Sequence, residues 1–402
     1  MKRPLSFDAT RTSLLVVAGT SLVAGTYGLV RLAYGLFLPD VAADLGLAPR
    51  LAGWTSSGAS VAYCAGALLG LGAHRRPRLV VLGALATAAV GSLVMAASPG
   101  VGLFVPAAVL ASAGAGLASP GMVALLERAP GLRRPERAQA VVNAGTGPGL
   151  VAVGVLALVL LPDWRLALTL GGVLTATAGV LVLLVDRSRS LPSREVGPAA
   201  GAPRMGVRAR RLARPATGAL LLGAASAAVW TFGRTLVVDA GAGPTASVVA
   251  WVLLGVGGTA TVLTAGRLGA LPPARAWLVT AAGVAGALAL LALAPGVVAS
   301  AYVAFVVFGW SFVAATSALI AWAGHVLPSR AAWGTSVLFV LLVVGQALGS
   351  TVAGASAGPW GWRGVFAGAA VVAVVAALCG APVASAVVRV PRPLPDRAAV
   401  RG

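Results

Sequence analysis

Long apolar runs alternate with short polar breaks along the whole chain. Twelve runs reach the ~20 residues that a helix needs to cross a bilayer: 12–37, 51–73, 78–98, 101–126, 138–161, 164–185, 216–238, 245–268, 276–295, 297–324, 331–357 and 362–388. Several breaks are very short, such as Ser98–Val101 and Leu161–Trp164, which makes neighbouring helices antiparallel. The pattern predicts an all-α integral membrane protein of twelve transmembrane helices. One long polar stretch, Asp186–Arg214, is rich in Arg, Pro and Gly and has no apolar period. It separates a six-helix bundle at 1–185 from another at 216–402, with 186–215 as a cytoplasmic linker expected to be partly disordered.

The two bundles repeat one another. The second and eighth spans open on Trp, three residues, then Gly (Trp54–Gly58, Trp251–Gly255), and the sixth and twelfth on Trp-Arg (Trp164–Arg165, Trp362–Arg363). A third correspondence pairs Tyr27 and Arg31 with Trp230 and Arg234, both shifted by 203 residues. Three matches in one order predict a parallel repeat about an axis along the membrane normal.

Composition agrees with the pattern. Of 402 residues 58% are hydrophobic and 10% charged, with mean hydropathy +0.93. A soluble domain cannot wet its surface with so few polar groups. The net charge of +20 invites a nucleic-acid partner, but its distribution excludes one. Laid on twelve spans, 25 Lys/Arg fall on one side and three (Arg50, Arg165, Arg363) on the other. By the positive-inside rule both termini are cytoplasmic, and the basic loops face anionic lipid heads. Lys2, Arg3 and Arg11 precede a run too long for a signal peptide, so it reads as an uncleaved first span.

Enzyme chemistry finds no purchase here. The sequence has no nucleophile elbow, metal-spaced His/Cys cluster, paired carboxylates or Gly-rich nucleotide loop. No cofactor or metal is expected, and no direct use of ATP. The two cysteines, Cys64 and Cys379, lie inside spans and read as small packing residues.

The costly residues are Arg31 and Arg234. A membrane-embedded arginine costs at least ~2.5–3.5 kcal/mol, so two at matching positions mark function. On a 3.6-residue helix Tyr27, Arg31 and Tyr34 share one face, as do Trp230 and Arg234. A guanidinium matches carboxylate or phosphate, and flanking rings can stack on it or on a solute. Tyr63, Asn143, Trp310 and Gln346 are further cavity candidates, with helix bridging or packing as the competing role for each. No Asp or Glu lies mid-span; Asp40, Asp239 and Glu127, near span ends, are the few groups able to relay a proton. Arg31 and Arg234 could instead pair with Asp40 and Asp239 as a gate at the outer mouth.

The twelve spans, the 6+6 repeat and the long central loop resemble the major facilitator superfamily. Gly70-Leu-Gly-Ala-His-Arg-Arg-Pro-Arg78 is similar to that family's Gly-x3-Asp-Arg-x-Gly-x-Arg-Arg motif. Its basic tail survives as Arg75, Arg76 and Arg78, while Ala73 or His74 stands where the family has a latch-forming aspartate. Asn143-Ala-Gly-Thr-Gly-Pro-Gly149 is similar to the Gly-Pro motif of many exporters in Gly147 and Pro148, but carries Asn143 at the earlier glycine and lacks the following Gly-Gly. The resemblance implies alternating access in the plasma membrane, with spans one and seven lining the cavity; a monomer is the default expectation. An arginine on each resembles the family's organophosphate/phosphate exchangers and implies an anionic solute, with protons or a counter-anion as coupling partner. An exporter of neutral drug-like molecules or metabolites, with the arginines as gate, is the alternative. A non-transporting receptor or scaffold is the alternative from another class.

Overall fold

The structure, a computed structural model, describes residues 5–73, 75–129, 132, 135–186 and 205–382. Among these the elements are all helical. In order they are α1 (Leu5–Val23), a π-helical segment (Ala24–Arg31), α2 (Ala33–Leu45), α3 (Pro49–Gly72), α4 (Pro77–Ala97), α5 (Val101–Glu127), α6 (Pro135–Asn143), α7 (Thr146–Leu160), α8 (Trp164–Val185), α9 (Met205–Asp239), α10 (Pro244–Gly269), α11 (Pro273–Leu293), α12 (Val298–Val326), a 3-10 turn (Pro328–Arg330) and α13 (Ala331–Leu378).

Ten helices among the described residues are long and apolar enough to span a membrane. The difference from the twelve expected arises in two places. Arg50, Thr55, Ser56, Ser57, Ser60 and Tyr63 lower the apolarity of α3, although its 24 residues give it the length. Trp333–Leu378 forms one 46-residue run. Straight, it would extend for about 69 Å, more than twice a bilayer core. Gly361 breaks it with φ 63° and ψ 170°, a conformation that a side chain would strain. The arms then run in opposite directions. Gly354 packs on Pro49 and Gly53 at one end, and the Trp277 indole donates to the Ala376 carbonyl (2.8 Å) at the other.

The linker expected at 186–215 is only partly within the described residues. Where it is, Met205–Arg214 continues into α9 rather than forming a loop. Its Ala, Leu, Met and Arg residues favour helix, and periodicity does not register that preference. His74 and residues 187–204 lie outside the described residues.

Without a hydrophobic drive between helices in lipid, small residues set the approach. A Cβ on Gly66 would press on the Ala113 carbonyl, and one on Gly116 on that of Tyr63, so α3 and α5 pack backbone to backbone. Gly223, Gly345 and Gly349 do the same between α9 and α13. In the first span, Gly28 meets the backbone of Gly149 and Gly25 meets Thr175, bringing α7 and α8 onto the π-helical turn. That turn is closed by the Leu32 N–H donating to the Tyr27 carbonyl (2.8 Å). It puts an extra residue into the helix and re-aims the side chains of the next turn, as such bulges do at functional sites. The fifth span also breaks, between α6 and α7, just before Pro148.

The two halves, α1–α8 and α9–α13, touch through α2 on α9, α3 on α13 and α7 on α10. Their backbone contacts, Gly35 on the Trp230 carbonyl and Gly53 on Gly354, gather toward one face of the bundle. This far face carries the α2–α3, α7–α8 and α9–α10 connections.

Candidate functional site

Between the halves lies a cavity of about 810 Å³, within the ~300–1,000 Å³ usual for small-molecule sites. Arg31 is the one charged side chain among the described residues that line it. It sits at the end of the π-helical turn, its guanidinium carbon 4.4 Å from the centre of the Tyr63 ring. Among the described residues no carboxylate pairs with it. Tyr63 Oη and Tyr27 Oη share a hydrogen bond of 2.7 Å, and their rings meet edge to face at 5.7 Å. At the break in the fifth span, Asn143 lines the cavity, and its Oδ1 accepts from the Ser119 hydroxyl (2.8 Å). The opposite wall carries Trp230, Phe312, Phe339 and Gln346.

At the far-face end the cavity floor is a hydroxyl cluster from three helices. Ser56 of α3 bonds Thr231 of α9 (2.8 Å) and Ser350 of α13 (3.0 Å), and Thr231 bonds Ser350 (3.2 Å). Beyond it lies Arg234, whose side chain is 1% exposed. Its guanidinium donates to the Asp40 carboxylate, to the Leu36 carbonyl (2.6 Å) and to Ser247 Oγ (3.0 Å). Asp40 and Leu36 belong to α2, so one arginine ties the two halves together.

The expected equivalence of the two arginines therefore fails, and Arg234 does not face the cavity. α2 continues fourteen residues past Arg31 to Leu45, whereas α9 ends at Asp239, five past Arg234. At 1.5 Å per residue this places them roughly 13 Å apart in height. A constant sequence offset cannot equate positions on spans of different length. Arg234 finds its carboxylate 194 residues away, a pairing that sequence proximity does not reveal.

Of the other expected cavity residues, Tyr27, Tyr34, Tyr63, Asn143, Trp230 and Gln346 line it with Arg31, as do Gly147 and Pro148. The Tyr34 hydroxyl is committed to the Ala52 carbonyl (2.9 Å). Trp310 lies off the cavity, its indole donating to Thr264 Oγ1 (2.9 Å) within the second half. Asp239 borders a separate recess on the far face with Trp360 and Arg363. Arg75 and Arg76 are exposed at the opposite face, where Arg128 donates to the Arg75 carbonyl (3.3 Å) and Arg78 to that of Leu183 (3.0 Å). Cys64 and Cys379 are free thiols. Sequence reasoning missed Ser56, Thr231 and Ser350. Hydroxyls in apolar spans mostly bond their own helix, as Thr55 does to Leu51, so their sequence context carries no mark of a partner.

A membrane-spanning helical bundle in two halves around a central cavity defines the class: a secondary transporter. The chain belongs to the Major Facilitator Superfamily, whose family model matches residues 20–341. No curated protein matches it. Solved structures share its fold. The nucleoside transporter NupG is similar at 18% identity over 92% of this chain and 98% of that one, with a TM-score of 0.76. A bacterial homologue of the human lysosomal transporter Spinster, inward-facing and unoccupied, is similar at 13% identity over 94% and 97%, with a TM-score of 0.70. A POT family transporter in complex with 5-aminolevulinic acid is similar at 11% identity over 91% and 94%, with a TM-score of 0.71. The chain is thus a multi-pass membrane transporter of small solutes rather than an enzyme.

Proposed function

We propose that this transporter carries a small organic anion across the plasma membrane by alternating access, with Arg31 as the anion's partner. The observation that carries the reading is the solitary charge: Arg31 lines the cavity with no carboxylate to neutralise it. An anionic solute offsets the cost of holding that cation away from bulk water. With basic loops inside, the far face is the outer one and the cavity is the cytoplasmic-facing form. Arg234 and Asp40 then close the outer mouth. No carboxylate lines the cavity among the described residues, which supports exchange for a counter-anion over proton coupling. The protein is expected to act as a monomer. The apolar second wall favours one other reading, a neutral solute moved through the cavity, with Arg234 serving the gate.

The test is binding and counterflow with purified protein in liposomes. In Arg31→Gln, a lost charged hydrogen bond worth about 1.5–3 kcal/mol weakens binding of an organic anion by roughly 10–150-fold. Arg31→Lys retains part of the affinity, as a point charge without the fork. Unchanged binding and exchange in Arg31→Gln would discard the anion reading in favour of the neutral solute.

A further inference from the structure

The two walls of the cavity are chemically unlike, and the difference describes the solute. The first half offers donors: the Arg31 guanidinium, the Asn143 amide and the paired hydroxyls of Tyr27 and Tyr63. The second half offers rings. Trp230 is held edge to face by Phe312 at 5.5 Å, Phe308 at 5.6 Å and Trp251 at 6.3 Å. Phe308 and Phe312 lie parallel within 12°. This wall is therefore a braced aromatic surface. Trp230 Nε1 is buried without a hydrogen-bond partner, so ring contacts alone hold the indole.

The hydroxyls of that wall do not make it polar. Thr259, Thr261, Thr316 and Ser317 each donate to a carbonyl of their own helix. Their protons are committed, and each presents outward only methyl or methylene and an acceptor. Gln346 is the one amide on this side. A fully polar anion, such as phosphate or a sugar phosphate, would leave its second face against rings and lose hydration there without replacement. A dianion would bring a second charge to a cavity whose described lining holds one cation.

We propose that the solute is an amphipathic monoanion, with a flat aromatic body against Trp230, Phe312 and Phe339 and a single carboxylate-type group on Arg31. This rests on the reading of Arg31 as an anion partner and adds to it the shape and charge number of the solute. Aromatic faces bind a planar body in offset or edge-on geometry, and the fork of Arg31 takes a carboxylate in two parallel bonds.

The experiment is a thermal-shift and competition series on the full chain in detergent. Four probes are compared: 3-phenylpropionate, propionate, 3-phenylpropanamide and phenylsuccinate. The aromatic monoanion should raise the melting temperature, and the other three should bind at least about tenfold more weakly. Phe339→Ala should weaken 3-phenylpropionate by about tenfold and leave propionate unchanged, because it removes ring contact alone. Trp230→Phe should keep most of the affinity; it preserves a ring and sacrifices no hydrogen bond.

Equal binding of propionate and 3-phenylpropionate, both lost in Arg31→Gln, would overturn this solute class while leaving the anion reading in place. Tighter binding of phenylsuccinate would overturn the monoanion. Binding of the amide that matches the acid and ignores Arg31→Gln would overturn both readings. No stabilisation by the aromatic acid overturns the proposal as well.

Discussion

Asp40→Ala is expected to destabilise the folded protein by about 3–5 kcal/mol, the usual cost of breaking one side of a buried ion pair. The cost is asymmetric. Arg234 cannot lose its proton, and its side chain is 1% exposed. Without Asp40 it keeps the Leu36 carbonyl and Ser247 Oγ but no counter-charge. Arg234→Gln should cost less, because Asp40 is 18% exposed and can recruit water. Melting temperatures in detergent check the order. The double variant Asp40→Ala/Arg234→Gln should lose less than the two single losses combined, since the second change removes a charge that the first has orphaned. Strict additivity would show that the pair does not act as a unit. The same bond joins α2 to α9 across the halves, so breaking it should also favour opening of the far face.

Gly53→Val is expected to abolish transport with little loss of folding. A Cβ at Gly53 would press into the Ser350 carbonyl and lie against Gly354, contacts made only while the halves meet at the far face. Backbone cannot move aside as a side-chain tip can, so the two halves must part. A useful contrast is Gly28→Val. Gly28 meets the backbone of Gly149 within one half, a contact that rigid-body motion of the halves leaves intact, so that change should impair folding itself. Spin labels at Ala48 and Trp360, both exposed at the far face, provide the readout once Cys64 and Cys379 are replaced. A longer label-to-label distance in Gly53→Val is expected. An unchanged distance with normal transport would mean that the far-face contact does not set the state of the cavity.

Much of the fold is legible along the chain because it depends on local quantities. Bilayer thickness fixes how many consecutive apolar residues a span needs, so span positions follow from hydropathy. Where ten long apolar helices stand for twelve expected spans, the cause is equally local. The polar side chains of α3 dilute its apolarity, and only a glycine at positive φ divides α13. The cavity residues were half legible. Arg31, Tyr27, Tyr63, Asn143 and Gln346 stand out as polar or charged groups in apolar spans, and the structure brings them to one cavity. Trp310 stands out in the same way, yet its indole finds Thr264.

The sequence by itself determined the class of molecule: an all-α membrane protein with two internal arginines and a family resemblance that the family match bears out. It could do so because apolar length and residue-type cost are summed along the chain. Only the tertiary structure decided that the two arginines do different jobs. Arg31 is turned to the cavity from the end of a π-helical turn, while Arg234 is sealed against Asp40. The hydroxyl cluster of Ser56, Thr231 and Ser350 and the ring wall around Trp230 were likewise settled by packing. Such pairings join residues tens to hundreds of positions apart, and they depend on helix length, register and glycine-controlled approach, none of which a one-dimensional pattern encodes.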